Sequence, residues 1–207
     1  MLKILAFDPG QKNCSFALLQ HNPTSRTLDR TKLLCHGLLP SEVTNLNLKS
    51  ASQLSIQIKT LQELLGQLKA EYSPTHLILE RYMTRGFGGG SNTTEVINFL
   101  IGTITSYNVA STKLIGASTW KNEVKRQRIK QGLEPQLGKH TCNKTEVYEG
   151  FETERGVLPV SAHQVDACYI AMYGLYALLK IKPFQDFDFQ SWDIKIKKTK
   201  IKKFRGP

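Results

Sequence analysis

No apolar run in the 207-residue sequence approaches the ~20 residues that a membrane-spanning helix needs. The N-terminus, MLKILAFDPG, passes from a short apolar run straight into Asp8, without the longer apolar stretch of a secretory signal. A soluble protein that is not secreted is expected. Cysteine is scarce and scattered: Cys14, Cys35, Cys142 and Cys168 form no C-x-x-C pair, which argues against a zinc ribbon or a disulfide framework. His140 and Cys142 lack a second closely spaced pair, so zinc is not indicated there either. No internal repeat is visible, and no Ser-His-Asp or Cys-His set stands out as a nucleophile. Acidic residues are too few for the basic ones, 17 against 28, which leaves a net charge of +11. Such a chain suits a polyanionic partner, because neutralising phosphates is the main source of nucleic-acid affinity.

What is present is ordinary material for one well-cored domain with a modest appendage. Hydrophobic residues make up 40% and charged residues 22%, which argues against disorder over most of the chain. The runs 2–8 (LKILAFD), 14–20 (CSFALLQ) and 32–39 (KLLCHGLL) predict an antiparallel three-strand meander. Leu54, Ile58, Leu61, Leu64, Leu65 and Leu68 recur at three- and four-residue steps and predict an amphipathic helix over 52–71. The run 76–80 (HLILE) reads as a central strand covered on both faces. After a glycine-rich loop, Val96, Phe99, Leu100 and Ile104 predict a helical stripe within 92–107. A strand over 112–117 follows, then a short polar helix that Ser118 is placed to cap. Ser161 and Gln164 match a capping box, and the nearly all-apolar run from Val165 to Leu179 predicts a buried helix ended by Pro183. The domain is expected to span 1–183, followed by a basic tail over 184–207.

The positive charge is concentrated in two places. Residues 121–144 hold seven Lys and Arg against two Glu, and residues 180–207 hold nine against three Asp. The tail is read as a flexible basic arm or a strand in which Ile194 and Ile196 alternate with Lys.

Three carboxylates sit where charge meets apolar sequence. Asp8 ends an apolar strand at a Pro-Gly turn, Glu80 ends another, and Asp166 lies in the second turn of the apolar C-terminal helix. A carboxylate beside a core is unfavourable unless paired or bound to a cation, so three of them invite a shared hard ion such as Mg²⁺ or Mn²⁺. Plainer readings exist for each: Asp8 starts a turn, Glu80 pairs with Arg81 or Arg85, and Asp166 is offset by the helix N-terminus. His163 and Asp166 are three apart, so one helix face can direct both into one site.

The ordered set AFDPGQKNCSFALL (6–19), LILER (77–81) and HQVDACYIAMYGLY (163–176) resembles the RuvC family of Holliday-junction resolvases. The stretch Lys144-Thr-Glu-Val147 is similar to a Lys-x-x-Val segment that precedes the last helix in that family. The resemblance covers about residues 1 to 180 and implies an α/β, RNase H-like fold with a mixed five-stranded sheet flanked by helices. It also implies Asp8, Glu80, His163 and Asp166 as ligands for two Mg²⁺ ions, with Mn²⁺ able to substitute, and hydrolysis of DNA phosphodiesters.

On the same resemblance, Phe87 in the loop after Glu80 stacks on bases or, alternatively, packs locally. Arg81 and Arg85 reach phosphate or pair with acidic neighbours. Lys121, Lys125, Arg126 and Arg128, together with Lys144, form a DNA-contacting basic segment or, alternatively, a merely solvated face. A homodimer is implied, since symmetric cleavage of a four-way junction needs two sites, with 92–107 as the candidate dimer face. The expected compartment is the cytoplasm or nucleoid, or a host cytoplasm for a viral member, with organelle and nucleus left open. The charged region 130–155 and the tail depart from the bacterial pattern and match nothing in it. Three other functions stay in play: a broader branched-DNA or flap nuclease, a non-catalytic nucleic-acid-binding protein on the same fold, and an actin-like phosphotransferase. The last lacks a convincing second phosphate loop.

Overall fold

The computed structural model describes residues 1–26, 31–82, 91–107, 109–130, 132, 152–153, 156–157 and 161–182. The opening apolar runs form strands β1 (Leu2–Asp8), β2 (Ser15–His21) and β3 (Thr31–Leu38), an antiparallel meander as expected. A single helical turn, α1 (Ser41–Thr44), then leads into the long helix α2 (Ala51–Tyr72). Ser50 caps α2 by accepting from the Gln53 N–H, and Ser73 closes it in the left-handed conformation, with φ of 49°.

The chain returns as β4 (His76–Arg81), parallel to β1, and α3 (Ser91–Thr105) carries it to β5 (Ser111–Gly116), parallel to β4. Helix α4 (Ala117–Lys130) follows directly. The two-residue strands β6 (Glu152–Thr153) and β7 (Gly156–Val157) pair with each other, and α5 (Ala162–Leu179) closes the fold. The five-stranded sheet has the order β3-β2-β1-β4-β5, with three antiparallel and two parallel members added at β1.

Alternation along the two central strands divides the core into two layers. Leu5, Phe7, Leu77 and Leu79 pack with Leu61 and Leu65 of α2 and Leu100 and Ile104 of α3. Ile4, Ala6 and Ile78 face the other way, against Trp120 and Val124 of α4 and Tyr169, Ile170 and Leu175 of α5. Gly174 lets α5 approach the sheet closely: a Cβ there would lie 3.0 Å from Ile78 Cγ1 and 3.4 Å from Ile4 Cγ2.

Several sequence expectations shift. Phe99 is exposed, and the buried stripe of α3 is Val96, Ile97, Leu100, Ile101 and Ile104. Helix α4 has 14 residues and begins at Ala117, so Ser118 lies inside its first turn instead of ahead of it. Helix α5 begins at Ala162 behind the expected capping box. It ends at Leu179, where Lys180 adopts the left-handed conformation, three residues ahead of Pro183. Among the described residues no helix is long and apolar enough to cross a membrane. Pro183, the 184–207 tail, and the basic stretch beyond Lys130 apart from Gly132 lie outside the described residues.

Candidate active site

Strand register builds the site. Phe7 of β1 is paired with Leu79 of parallel β4, so Asp8 and Glu80 are the next residues of neighbouring strands, at their C-terminal ends. Both share the alternation of Ile4, Ala6 and Ile78, which directs them to the face covered by α5. On the antiparallel side, Asp8 is paired with Ser15 of β2. The Ser15 hydroxyl donates to the His163 carbonyl at 2.5 Å, pinning the first turn of α5 beside the strand end. The capping box completes that turn: Ser161 Oγ accepts from the Gln164 N–H, and Gln164 Oε1 accepts from the Ser161 N–H.

Four acidic or imidazole side chains, Asp8, Glu80, His163 and Asp166, lie at this end of the sheet. His163 Nδ1 lies 3.1 Å from Asp8 Oδ2, and this hydrogen bond is the main cause that raises the imidazole pKa, against partial burial. Glu80 Oε2 accepts from the indole N–H of Trp120 at 2.8 Å, and Trp120 itself is wholly buried. Asp166 is 6% exposed, and its Oδ1 is buried with no hydrogen-bond partner among the described residues. Burial first, and then the negative charge of Asp8, push its carboxyl well above the usual range; Lys121 opposes this and Glu80 adds to it.

Lys121 is the local counter-charge. Its ammonium lies 3.8 Å from Glu80 Oε2, 3.9 Å from Asp166 Oδ2 and 4.9 Å from the Trp120 ring centre. Thus a residue expected to meet phosphate is directed at the carboxylates. Arg126 forms an ion pair with Glu123 at 2.6 Å on the exposed side of α4, while Lys125 and Arg128 are half-buried on the same helix. Arg81 is exposed and, one residue beyond Glu80, alternates to the opposite face of β4. Arg85, Phe87 and Lys144 lie outside the described residues.

Sequence reasoning did not find Ser15 or Trp120 as parts of the site. Their partners are 148 and 40 residues away along the chain, and neither residue belongs to the spaced carboxylate pattern. The two buried thiols nearby offer no nucleophile: burial pushes Cys14 up to about 12 and Cys168 well above its usual value.

In kind, the donors fit a hard divalent cation, being carboxylate oxygens with one imidazole, and the unpartnered Asp166 Oδ1 is the kind of atom a cation would satisfy. As they stand, no three His, Cys, Asp or Glu side chains converge closely enough to hold an ion among the described residues. The Lys121 ammonium supplies positive charge there instead.

Sheet order, the parallel β1–β4–β5 half and the helix carrying Asp166 make this an RNase H-like fold of the RuvC type. RuvC of Thermus thermophilus in complex with a Holliday-junction substrate superposes with a TM-score of 0.51 at 11% identity, covering 86% of this chain and 95% of that one. A second Thermus thermophilus RuvC structure gives a TM-score of 0.50 at 11% identity, with 87% and 98% covered. No protein-family model and no curated protein matches the sequence.

Proposed function

We propose that the chain is a metal-dependent nuclease that acts on branched DNA, with the four-way junction as its preferred substrate. One observation carries the reading: Asp8, Glu80 and Asp166, from three separate elements, lie at one end of the sheet, where the Lys121 ammonium is 3.8 Å from Glu80 and 3.9 Å from Asp166 and His163, on the Asp166 helix, is 3.1 Å from Asp8. A structural role alone gives no reason to gather three acids at one strand end of a chain whose net charge is +11. The RuvC-type fold and the junction bound by the Thermus thermophilus protein support the choice of substrate.

In this reading Asp8, Glu80 and Asp166 hold Mg²⁺ or Mn²⁺, with His163 as a fourth donor. Bound there, two ions would supply an activated water and neutralise charge on the phosphate under attack. The chain's own residues prepare that site. Trp120 fixes the Glu80 carboxylate, Ser15 fixes the helix turn bearing His163, and His163 orients Asp8. Lys121 offsets the acids until cations arrive and is then free to meet a phosphate. Two copies of the chain would provide the paired cuts of a junction.

A synthetic four-way junction incubated with the protein and Mg²⁺ should yield nicked duplexes, and Asp8→Asn should abolish them while leaving binding intact. Flap and linear duplex substrates run in parallel would rank specificity. A preference for linear duplex would overturn the junction reading, and an intact junction at every protein concentration would overturn the nuclease.

The Lys121 ion pairs favour one rival, a non-catalytic nucleic-acid-binding protein whose acids are permanently neutralised by lysine. Calorimetry separates the two: heat of Mg²⁺ binding that disappears in Asp166→Asn supports the nuclease, and its absence from the unmutated protein supports the rival.

A further inference from the structure

On the other face of the sheet, a cleft of about 480 Å³ lies beside the same strand ends. Its borders follow the two carboxylate-bearing strands: Gln11 belongs to the turn after Asp8, and Asn92 to the first turn of α3, the helix after Glu80. Helix α1 is fastened to that turn, with the Thr44 hydroxyl donating to the Gln11 carbonyl at 3.0 Å and Gln11 Nε2 to Asn45 Oδ1 at 2.5 Å. The volume falls within the ~300–1,000 Å³ of small-ligand pockets.

The lining is unusual for so basic a chain. Six carboxamides surround the cleft: Gln11, Asn45, Asn47, Gln53, Gln57 and Asn92. Among the described residues the only charged ones lining it are Glu42 and Lys49, one of each sign. Leu46 and Val96 are buried and give it an apolar side. A neutral wall of this kind is a poor trap for a phosphate backbone. It matches a flat, uncharged ring that carries hydrogen-bond donors and acceptors on its edge.

Part of the amide set is already committed. Gln57 accepts from the Asn47 N–H at 2.8 Å and donates to the Glu42 and Asn45 carbonyls, and Asn47 donates to Gln53 and accepts from the Lys49 N–H. These bonds hold the 45–50 loop against α2 and so preform the cleft. Among the described residues the Nε2 of Gln53, the Nδ2 of Asn45, the Oε1 of Gln11 and both polar atoms of Asn92 remain uncommitted. They offer donors and acceptors together, the combination that reads the edge of an unpaired base.

We infer that this cleft is a nucleobase subsite, receiving an unpaired base from the DNA strand whose backbone passes the Asp8–Glu80 end of the sheet. The inference rests on the nuclease reading for its substrate. An unstacked base at a branch point has little stacking left to lose, so capture there is less unfavourable than within a regular duplex. The base would lie against Leu46 and Val96 with its edge toward Gln53 and Asn92.

The test follows side-chain amide resonances of the ¹⁵N-labelled full chain during titration with trinucleotides whose central base is varied. A trinucleotide with an abasic centre and free deoxynucleosides are run alongside. The Gln53 and Asn92 amide pairs should shift with base-bearing trinucleotides and unequally among the four bases. They should stay unmoved by the abasic one. Asn92→Leu, at an exposed position outside the amide network that holds the cleft, should weaken binding about tenfold, the loss of one hydrogen-bonding group.

Equal shifts with the abasic trinucleotide would reduce the cleft to a backbone contact and overturn the inference. A free nucleoside binding more tightly than any trinucleotide would overturn its assignment to DNA. The two readings fail separately. Junction cleavage without any amide shift sinks the subsite alone, while amide shifts without cleavage of any substrate sink the nuclease alone.

Discussion

The indole of Trp120, with no solvent exposure, donates at 2.8 Å to Glu80 Oε2, so a core residue of α4 sets the orientation of a strand-terminal carboxylate. A hydrogen bond to a charged group contributes roughly 1.5–3 kcal/mol. Trp120→Phe keeps most of the apolar volume and removes only the donor and part of the ring. Urea denaturation should show a loss in that range, and junction cleavage should fall by tenfold or more because Glu80 loses the hydrogen bond that orients its carboxylate. A variant that cleaves normally would remove Trp120 from any role in positioning Glu80.

Lys121 makes a different prediction. Among the described residues it is the one group that opposes the upward shift of Asp166, yet it lies at 3.8 and 3.9 Å from its partners and is not fully buried. Lys121→Met should therefore destabilise the chain by only about 1 kcal/mol in EDTA, near the top of the range for partly exposed pairs. Added Mg²⁺ should restore more stability to this variant than to the unmutated protein, since no ammonium competes with the ion. Thermal melts with and without Mg²⁺ measure both effects. An equal gain in the two proteins would mean that lysine and cation do not share the site.

Asp166 carries the sign of its own contribution. Its folded-state pKa lies well above the ordinary value, so the folded protein binds a proton more tightly than the unfolded chain does. Without metal, the group costs the fold stability as pH rises from the ordinary carboxyl value through the raised one, and the cost vanishes in more acidic solution. Asp166→Asn should raise the melting temperature in EDTA at neutral pH, with the advantage shrinking toward pH ~4. The same variant should lose cleavage and most of its Mg²⁺-induced stabilisation. A lower melting temperature in EDTA at neutral pH would count against the shift.

Much of this fold was legible because its central strands are unbroken apolar runs. ILAF (4–7) and LIL (77–79) are buried on both faces, and one-residue steps from them fix where Asp8 and Glu80 emerge. Ser161 and Gln164 announced the start of α5 through local chemistry alone. Phe99 misled because helical spacing alone allots it to the apolar stripe, whereas the face of α3 that packs on the core carries Ile97 and Ile101 and leaves Phe99 exposed. The turn α1, the ladder of β6 with β7 and the cleft beside α2 left no periodic trace. The first two are too short to show a period, and the cleft depends on side-chain bonds that tie Gln11 and Gln57 to the 42–47 segment. The same holds at the site, where four acid or imidazole positions could be read in order, while the residues that hold them, Trp120 and Ser15, could not.

Ser15 gives the sharpest test of that last point. Its hydroxyl is wholly buried and donates to the His163 carbonyl, a group within the first turn of α5, whose carbonyls ordinarily accept from N–H groups four residues on. Ser15→Ala removes one neutral hydrogen bond and should lower stability by about 1 kcal/mol. Its effect on function should be larger than that suggests, because the bond ties the strand opposite Asp8 to the turn that presents His163 to Asp8. The imidazole pKa, raised chiefly by its contact with Asp8, should fall back toward the ordinary histidine value when that turn loosens. A pH titration of the His163 ring resonances in Ser15→Ala and the unmutated protein reads this directly. Identical titration curves together with the expected loss of stability would leave Ser15 as a core hydroxyl with no part in arranging the site.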